Sequence, residues 1–143
     1  MFSGEFNHGL DDKGRYIVPA RFRHELGDRF MITRGLDNCL FVYPLAAWEA
    51  AAASVLQAPS NTAAGRRLQR NFFSGAVEVE ADKQYRIVIP ASLRQYAALD
   101  KEIVTVGMNR RLEIWQAANW QNYLNGDAET YEAAAEQLEQ IWL

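Results

Sequence analysis

The sequence predicts an α+β fold: two copies of a small module sharing one core as an intertwined β-barrel with pseudo-two-fold symmetry, flanking helices and a C-terminal helix. Three observations carry this. At an offset of 71, "FSGEFNHGLDDKGRYIVPARFR" (2–23) falls on "FSGAVEVEADKQYRIVIPASLR" (73–94) with eight of 22 positions identical. At an offset of 72, residues 31–48 fall on 103–120 with five of 18 identical: Thr33/Thr105, Gly35/Gly107, Leu40/Leu112, Ala46/Ala118 and Trp48/Trp120. A period this long means two copies of one module, with one residue gained between the blocks. Finally, a module of about 45 residues without disulfide or metal is near the lower limit for an independent core, so the copies must share one.

Each copy opens with a strand near 5–9 (76–80), turns at "DDKG" or "DKQY", and continues in a β-branched strand, "RYIVP" or "RIVIP". Proline ends that strand. A short helix follows, "ARFRHEL" or "ASLRQYAAL", then two apolar strands, "FMITR" and "CLFVY" against "EIVTVG" and "RLEIW", joined through a glycine-containing loop. Each copy closes with a helix carrying the shared tryptophan, and in the first of these Trp48, Ala52, Val55 and Leu56 fall on one face. The linker "APSNTAAG" and a basic amphipathic helix, "RRLQRNFF", join the copies. The boundaries expected are 1–57 for the first module, 58–72 for linker and basic helix, 73–124 for the second module and 125–143 for an acidic C-terminal helix.

Net charge is −3, but it is segregated. All fifteen Lys and Arg lie between residues 13 and 111, whereas 113–143 hold six acids (Glu113, Asp127, Glu129, Glu132, Glu136 and Glu139) and no base; removing those six takes −3 to +3. An acidic tail is repelled by phosphate and must point elsewhere. In that tail Asp127 reads as an N-cap, and Tyr131, Ala134, Leu138, Ile141 and Trp142 form an apolar stripe that seeks a cover on its own barrel or on a neighbouring protomer. Arg66, Arg67 and Arg70 of the linker helix are suitable partners for its acids.

"NHGLDDKGRYIVPARFR", the repeated D-x-x-x-R at Asp11/Arg15 and Asp82/Arg86, "RGLDNCLFVYP" and "RRLQRNFFSGA" together resemble the MraZ family of bacterial transcriptional regulators, over essentially the whole chain. The resemblance implies two swapped-hairpin modules of the AbrB type, a homo-oligomeric ring, and binding to double-stranded promoter repeats of the division and cell-wall gene cluster. It also implies that the D-x-x-x-R arginines contact DNA.

The residues add their own reading. An arginine that starts a strand after a tight turn projects from a rigid edge, where its planar fork can pair with guanine or grip phosphate. Lys13, Arg15 and Arg86 are the first candidates, with Arg15 and Arg86 presented as a pair on one surface; Arg21, Arg23 and Arg94 on the short helices are placed to fix register on the backbone. Asp11 and Asp82 repel phosphate, so they read as structural, bonding turn backbone or orienting their arginine. Gly14 takes positive φ at little cost, whereas Tyr85 in the matching place predicts a second turn of different shape.

No catalytic pattern is present: His8 and His24 do not repeat, and no nucleophile elbow, Walker loop or dinucleotide fingerprint occurs. No metal site, cofactor or small-molecule substrate is expected. Cys39, the only cysteine, reads as a buried small hydrophobe. Apolar runs are too short to span a bilayer and "MFSGEF" lacks a signal pattern, which predicts a cytoplasmic protein; the DNA binding that the resemblance implies makes it nucleoid-associated. The expected function is a sequence-specific DNA-binding repressor acting on a cluster that includes its own promoter. The alternative is a swapped-hairpin oligomeric scaffold or antitoxin-like partner-binding protein.

Overall fold

A computed structural model describes residues 1–126 and 129–142. The element order is β1 (Glu5–Gly9), β2 (Arg15–Ile17), α1 (Ala20–Leu26), β3 (Arg29–Arg34), β4 (Leu40–Pro44), α2 (Leu45–Leu56) and α3 (Ala63–Gly75). It continues with β5 (Val77–Glu80), β6 (Arg86–Val88), α4 (Ala91–Tyr96), β7 (Glu102–Met108), β8 (Arg111–Gln116), α5 (Ala117–Leu124) and α6 (Tyr131–Gln137). Pro19 and Pro90 stop β2 and β6 and stand at the N-caps of α1 and α4, since a fixed φ and a missing N–H suit a helix start and not a ladder.

Six strands form one antiparallel sheet in the order β1-β7-β8-β4-β3-β5, and β2 and β6 form a separate two-stranded ribbon. The first strand of each copy pairs with the third strand of the other, β1 with β7 and β5 with β3, while β4 and β8 join the copies at the centre. Exchanging the copies reverses the strand order onto itself, as pseudo-two-fold symmetry requires.

The sheet is open and does not close into the expected barrel. The reason lies in the central strands. A barrel needs one buried face, but β4 and β8 are buried on both: Leu40, Val42, Leu112 and Ile114 face one core with Tyr16, Phe22, Leu26, Ile87 and Leu93. Phe41, Tyr43 and Trp115 face a second core with Phe72, Trp120, Trp48 and Val55. Strands buried on both faces call for a layer on each side. The ribbon with α1 and α4 forms one layer, and α2, α3 and α5 form the other.

Two sequence expectations are corrected. Ladder pairing sets β7 against β3 at an offset of 73, not 72, with the turn between β3 and β4 one residue longer than its counterpart. Thr33 and Thr105 are therefore not equivalent. They sit on opposite faces, Thr33 donating to the carbonyl of Phe72 at 2.5 Å and Thr105 bonding Tyr16 in the other core at 2.7 Å. On α2 the packed face is Ala47, Trp48, Ala51 and Val55, while Leu56 stays 62% exposed, because the helix packs on α3 through its Trp48–Phe72 stack at 5.2 Å. Cys39 is buried as expected, and burial pushes its thiol pKa up.

The expected N-cap Asp127 lies outside the described residues; α6 is capped by Thr130, whose side chain accepts from the N–H of Ala133.

Candidate nucleic-acid interface

The ribbon is where the two D-x-x-x-R motifs meet. Its register pairs Arg15 with Val88, Tyr16 with Ile87 and Ile17 with Arg86. Strand alternation then sends Tyr16 and Ile87 inward, 1% and 4% exposed, and leaves Arg15, Ile17, Arg86 and Val88 on the opposite, outward face. Arg15 and Arg86 are thus diagonal neighbours on one surface, with backbones about 7–8 Å apart.

Each arginine is held by the aspartate four residues before it. Asp82 Oδ1 accepts from the backbone N–H groups of Gln84 at 2.8 Å and Arg86 at 3.0 Å, and its Oδ2 accepts from Arg86 Nε at 2.9 Å. In the first copy Asp11 Oδ1 accepts from Lys13 N at 2.9 Å and Arg15 N at 2.8 Å, and Oδ2 accepts from Arg15 Nε. The backbone N–H of the arginine is the leading reason each carboxyl titrates below the usual aspartate range. Holding a guanidinium by Nε fixes its plane and leaves its two terminal nitrogens facing away from the aspartate, the edge that grips guanine or phosphate.

The second turn has the same shape as the first, against expectation. Gly14 has φ +74 and Tyr85 φ +62, and each N–H donates to the preceding aspartate's carbonyl at 3.0 Å. Asp82 supplies the bonds that hold Tyr85 in this unfavourable region. The rest comes from Arg23, whose guanidinium lies 3.9 Å from the centre of the Tyr85 ring.

Arg23 and Arg94 occupy matching places. Arg23 Nε donates to the Val18 carbonyl at 2.8 Å and Arg94 Nη1 to the Ile89 carbonyl at 2.6 Å. Each then reaches the other copy's turn: Arg23 covers Tyr85, and Arg94 covers Gly14. They join the site as supports beneath the tips. Arg21 does not join it; its guanidinium rests beside Gly4 and 5.4 Å from the Phe22 ring centre. Lys13 is exposed on the first tip, and Lys83, one place earlier in the second turn and missed by sequence reading, is exposed on the other. Also missed were Ile17 and Val88, 46% and 57% exposed between the arginines. Their β-branched chemistry reads as core, and only the ribbon register shows that they face out.

Among the described residues no helix is long and apolar enough to cross a membrane, and no His/Cys/Asp/Glu cluster could hold a metal.

Comparison with known proteins agrees with the duplication. The family profile described as "MraZ protein, putative antitoxin-like" matches twice, over residues 1–71 and 72–140. A protein of Desulforamulus reducens is 53% identical over 139 residues, 96% of this chain and 97% of its own length. One from Moorella thermoacetica is 51% identical over 138 residues, 96% of each chain, and one from Halothermothrix orenii 48% over 141 residues, 99% of each. All three carry the name "Transcriptional regulator MraZ". With two profile matches that together span nearly the whole chain and relatives near half identity throughout, this chain belongs to the MraZ family, which is not a family of enzymes.

Proposed function

We propose that this protein is a transcription regulator that binds double-stranded DNA sequence-specifically through the β2–β6 ribbon. One observation carries the reading: two guanidinium groups, each clamped by its own aspartate, share the outward face of a rigid two-stranded ribbon. A ribbon of this kind fits the major groove, about 12 Å wide. Arg15 and Arg86 read guanine edges or grip phosphate, and Ile17 and Val88 offer apolar contact to thymine methyls. Lys13 supplies charge for the DNA backbone, and Arg23 and Arg94 position the tips.

In this reading the two modules are AbrB-type swapped hairpins. The chain assembles into a ring and represses a division and cell-wall gene cluster that includes its own promoter, by binding tandem repeats. Avidity supports the ring: one ribbon with two to four cations binds weakly, and linked heads whose spacing fits the repeats gain about 10²–10⁴ in affinity. The names of the relatives support transcriptional control. The antitoxin-like alternative draws on the bare apolar tail, where Trp142 is 93% exposed, as a surface for an unrelated protein.

The test is a binding titration against DNA upstream of its own gene at two salt concentrations. Arg15→Ala is expected to cost about 1–3 kcal/mol per engaged site and to reduce the salt slope by about one. Unchanged promoter affinity would overturn the assignment.

A further inference from the structure

We infer that the C-terminal segment of one copy, residues 129–142, seats in a cleft between α2 and α3 of a second copy, so that subunits join head to tail. The inference rests on the oligomer proposed above and supplies its contact.

The cleft, about 690 Å³, is walled by Ala47, Ala51 and Val55 of α2, Leu68 and Phe72 of α3, and Phe41, Tyr43 and Tyr96 beneath. A cleft of about 300–1,000 Å³ with an apolar and aromatic lining is of the size that buries a ligand, so it has room for the apolar side chains of a helical tail. Among the described residues the charged lining of the cleft is four arginines, Arg34, Arg67, Arg110 and Arg111, with no acid. Arg34 is engaged with the Asn71 carbonyl and Ser74 Oγ at 3.0 Å, and Arg111 with Glu113 at 2.8 Å. Arg67 and Arg110 form no ion pair among the described residues and are exposed.

The tail is the complement. It carries Glu129, Glu132, Glu136 and Glu139 and no base, and Tyr131, Leu138, Ile141 and Trp142 stand 79, 58, 55 and 93% exposed. Among the described residues none that lines the cleft comes from the tail, and both surfaces stand open in one chain at once. A large apolar patch left bare marks an interaction site. A contact between two different surfaces of identical chains is heterologous, and it closes a ring when the rotation allows.

Two variants of the full chain test this, with the mass in solution as readout. Arg67→Glu/Arg110→Glu reverses the two cleft charges that have no ion pair among the described residues; Glu136→Arg/Glu139→Arg reverses the last two acids of the tail. Each alone is expected to fall to the mass of one chain with an unchanged melting temperature, and their equimolar mixture to recover the wild-type mass, because both contacts are then complementary. A wild-type oligomer that persists in both variants, or a mixture that fails to recover, overturns the tail-in-cleft contact and leaves the oligomer standing. A wild-type protein of single-chain mass overturns both. Oxidising Ser54→Cys/Gln140→Cys, which keeps every apolar anchor of the tail, separates the remaining occupant: a ladder of linked chains on a non-reducing gel supports the contact between copies, and a monomer with an internal disulfide, or no link, overturns it.

Discussion

The guanidinium of Arg94 lies where a side chain on Gly14 would begin: a Cβ at Gly14 would stand 1.9 Å from Arg94 Nη1. On the other side of the pseudo-two-fold axis Arg23 instead lies over the Tyr85 ring, 3.9 Å from its centre. The same support is thus built in two ways, one by absence of a side chain and one by stacking on it. Both place the helix after the ribbon under the opposite copy's tip, so each tip depends on both copies.

Gly14→Ala is expected to destabilise the protein by about 1–2 kcal/mol from the positive φ alone, and by more if Arg94 must leave. Tyr85→Gly removes a similar strain but also a guanidinium–aromatic contact of about 0.5–1 kcal/mol, so it should be near neutral. Urea denaturation of the two variants checks this. Equal losses would show that the two turns are not supported asymmetrically.

Coulomb's law alone expects the removal of an acid beside a DNA-contacting arginine to strengthen binding. The geometry expects the reverse. Asp82→Ala frees Arg86 Nε and two backbone N–H groups, so the guanidinium loses its fixed plane, and promoter affinity should fall about five- to tenfold. The pH dependence has a definite sign. Because the folded pKa of each aspartate is depressed, its support is fully present above the ordinary value near 3.8 and is lost as pH falls through the lower folded value. Tighter DNA binding by Asp82→Ala would show that the carboxylate acts only as a repelling charge.

Much of this was legible in the sequence because local chemistry dictated it. The D-x-x-x-R turns, the prolines that end β2 and β6, and the duplicated strands each follow from residues near one another. What was not legible depends on pairing across distance. Thr33 and Thr105 match in sequence yet face opposite cores, since a shift of one residue turns a strand over and identity cannot report register. The double-faced burial of β4 and β8 reads as one apolar run whether a sheet is closed or sandwiched, so the barrel was expected where the sheet is open. Tyr85 looked incompatible with its turn because the compensating Arg23 sits 62 residues away in the chain.

Beneath the ribbon Tyr16, Thr105 and His8 form a polar chain, with Tyr16 Oη and His8 Nε2 each 2.7 Å from Thr105 Oγ1. A neutral imidazole accepting at Nε2 lets the phenol donate to the threonine and the threonine donate to the ring, so the three groups form one directed chain. Burial lowers the His8 pKa from 6.5 to about 4. The fold therefore holds His8 neutral while the unfolded chain takes up a proton below 6.5. Stability from this source is complete above pH 6.5, falls as pH drops toward 4, and levels below it. Over a window of about 2.5 pH units, at about 1.4 kcal/mol per unit and halved for a partly exposed ring, the loss is about 1.5–2 kcal/mol. The aspartate turns weaken only below this window, so the two effects separate. His8→Gln, which keeps a partner for Thr105 but cannot titrate, should flatten the stability profile between pH 6.5 and 4 in thermal denaturation. Parallel profiles for wild type and variant would mean that His8 is protonated as easily in the folded protein as in the unfolded chain.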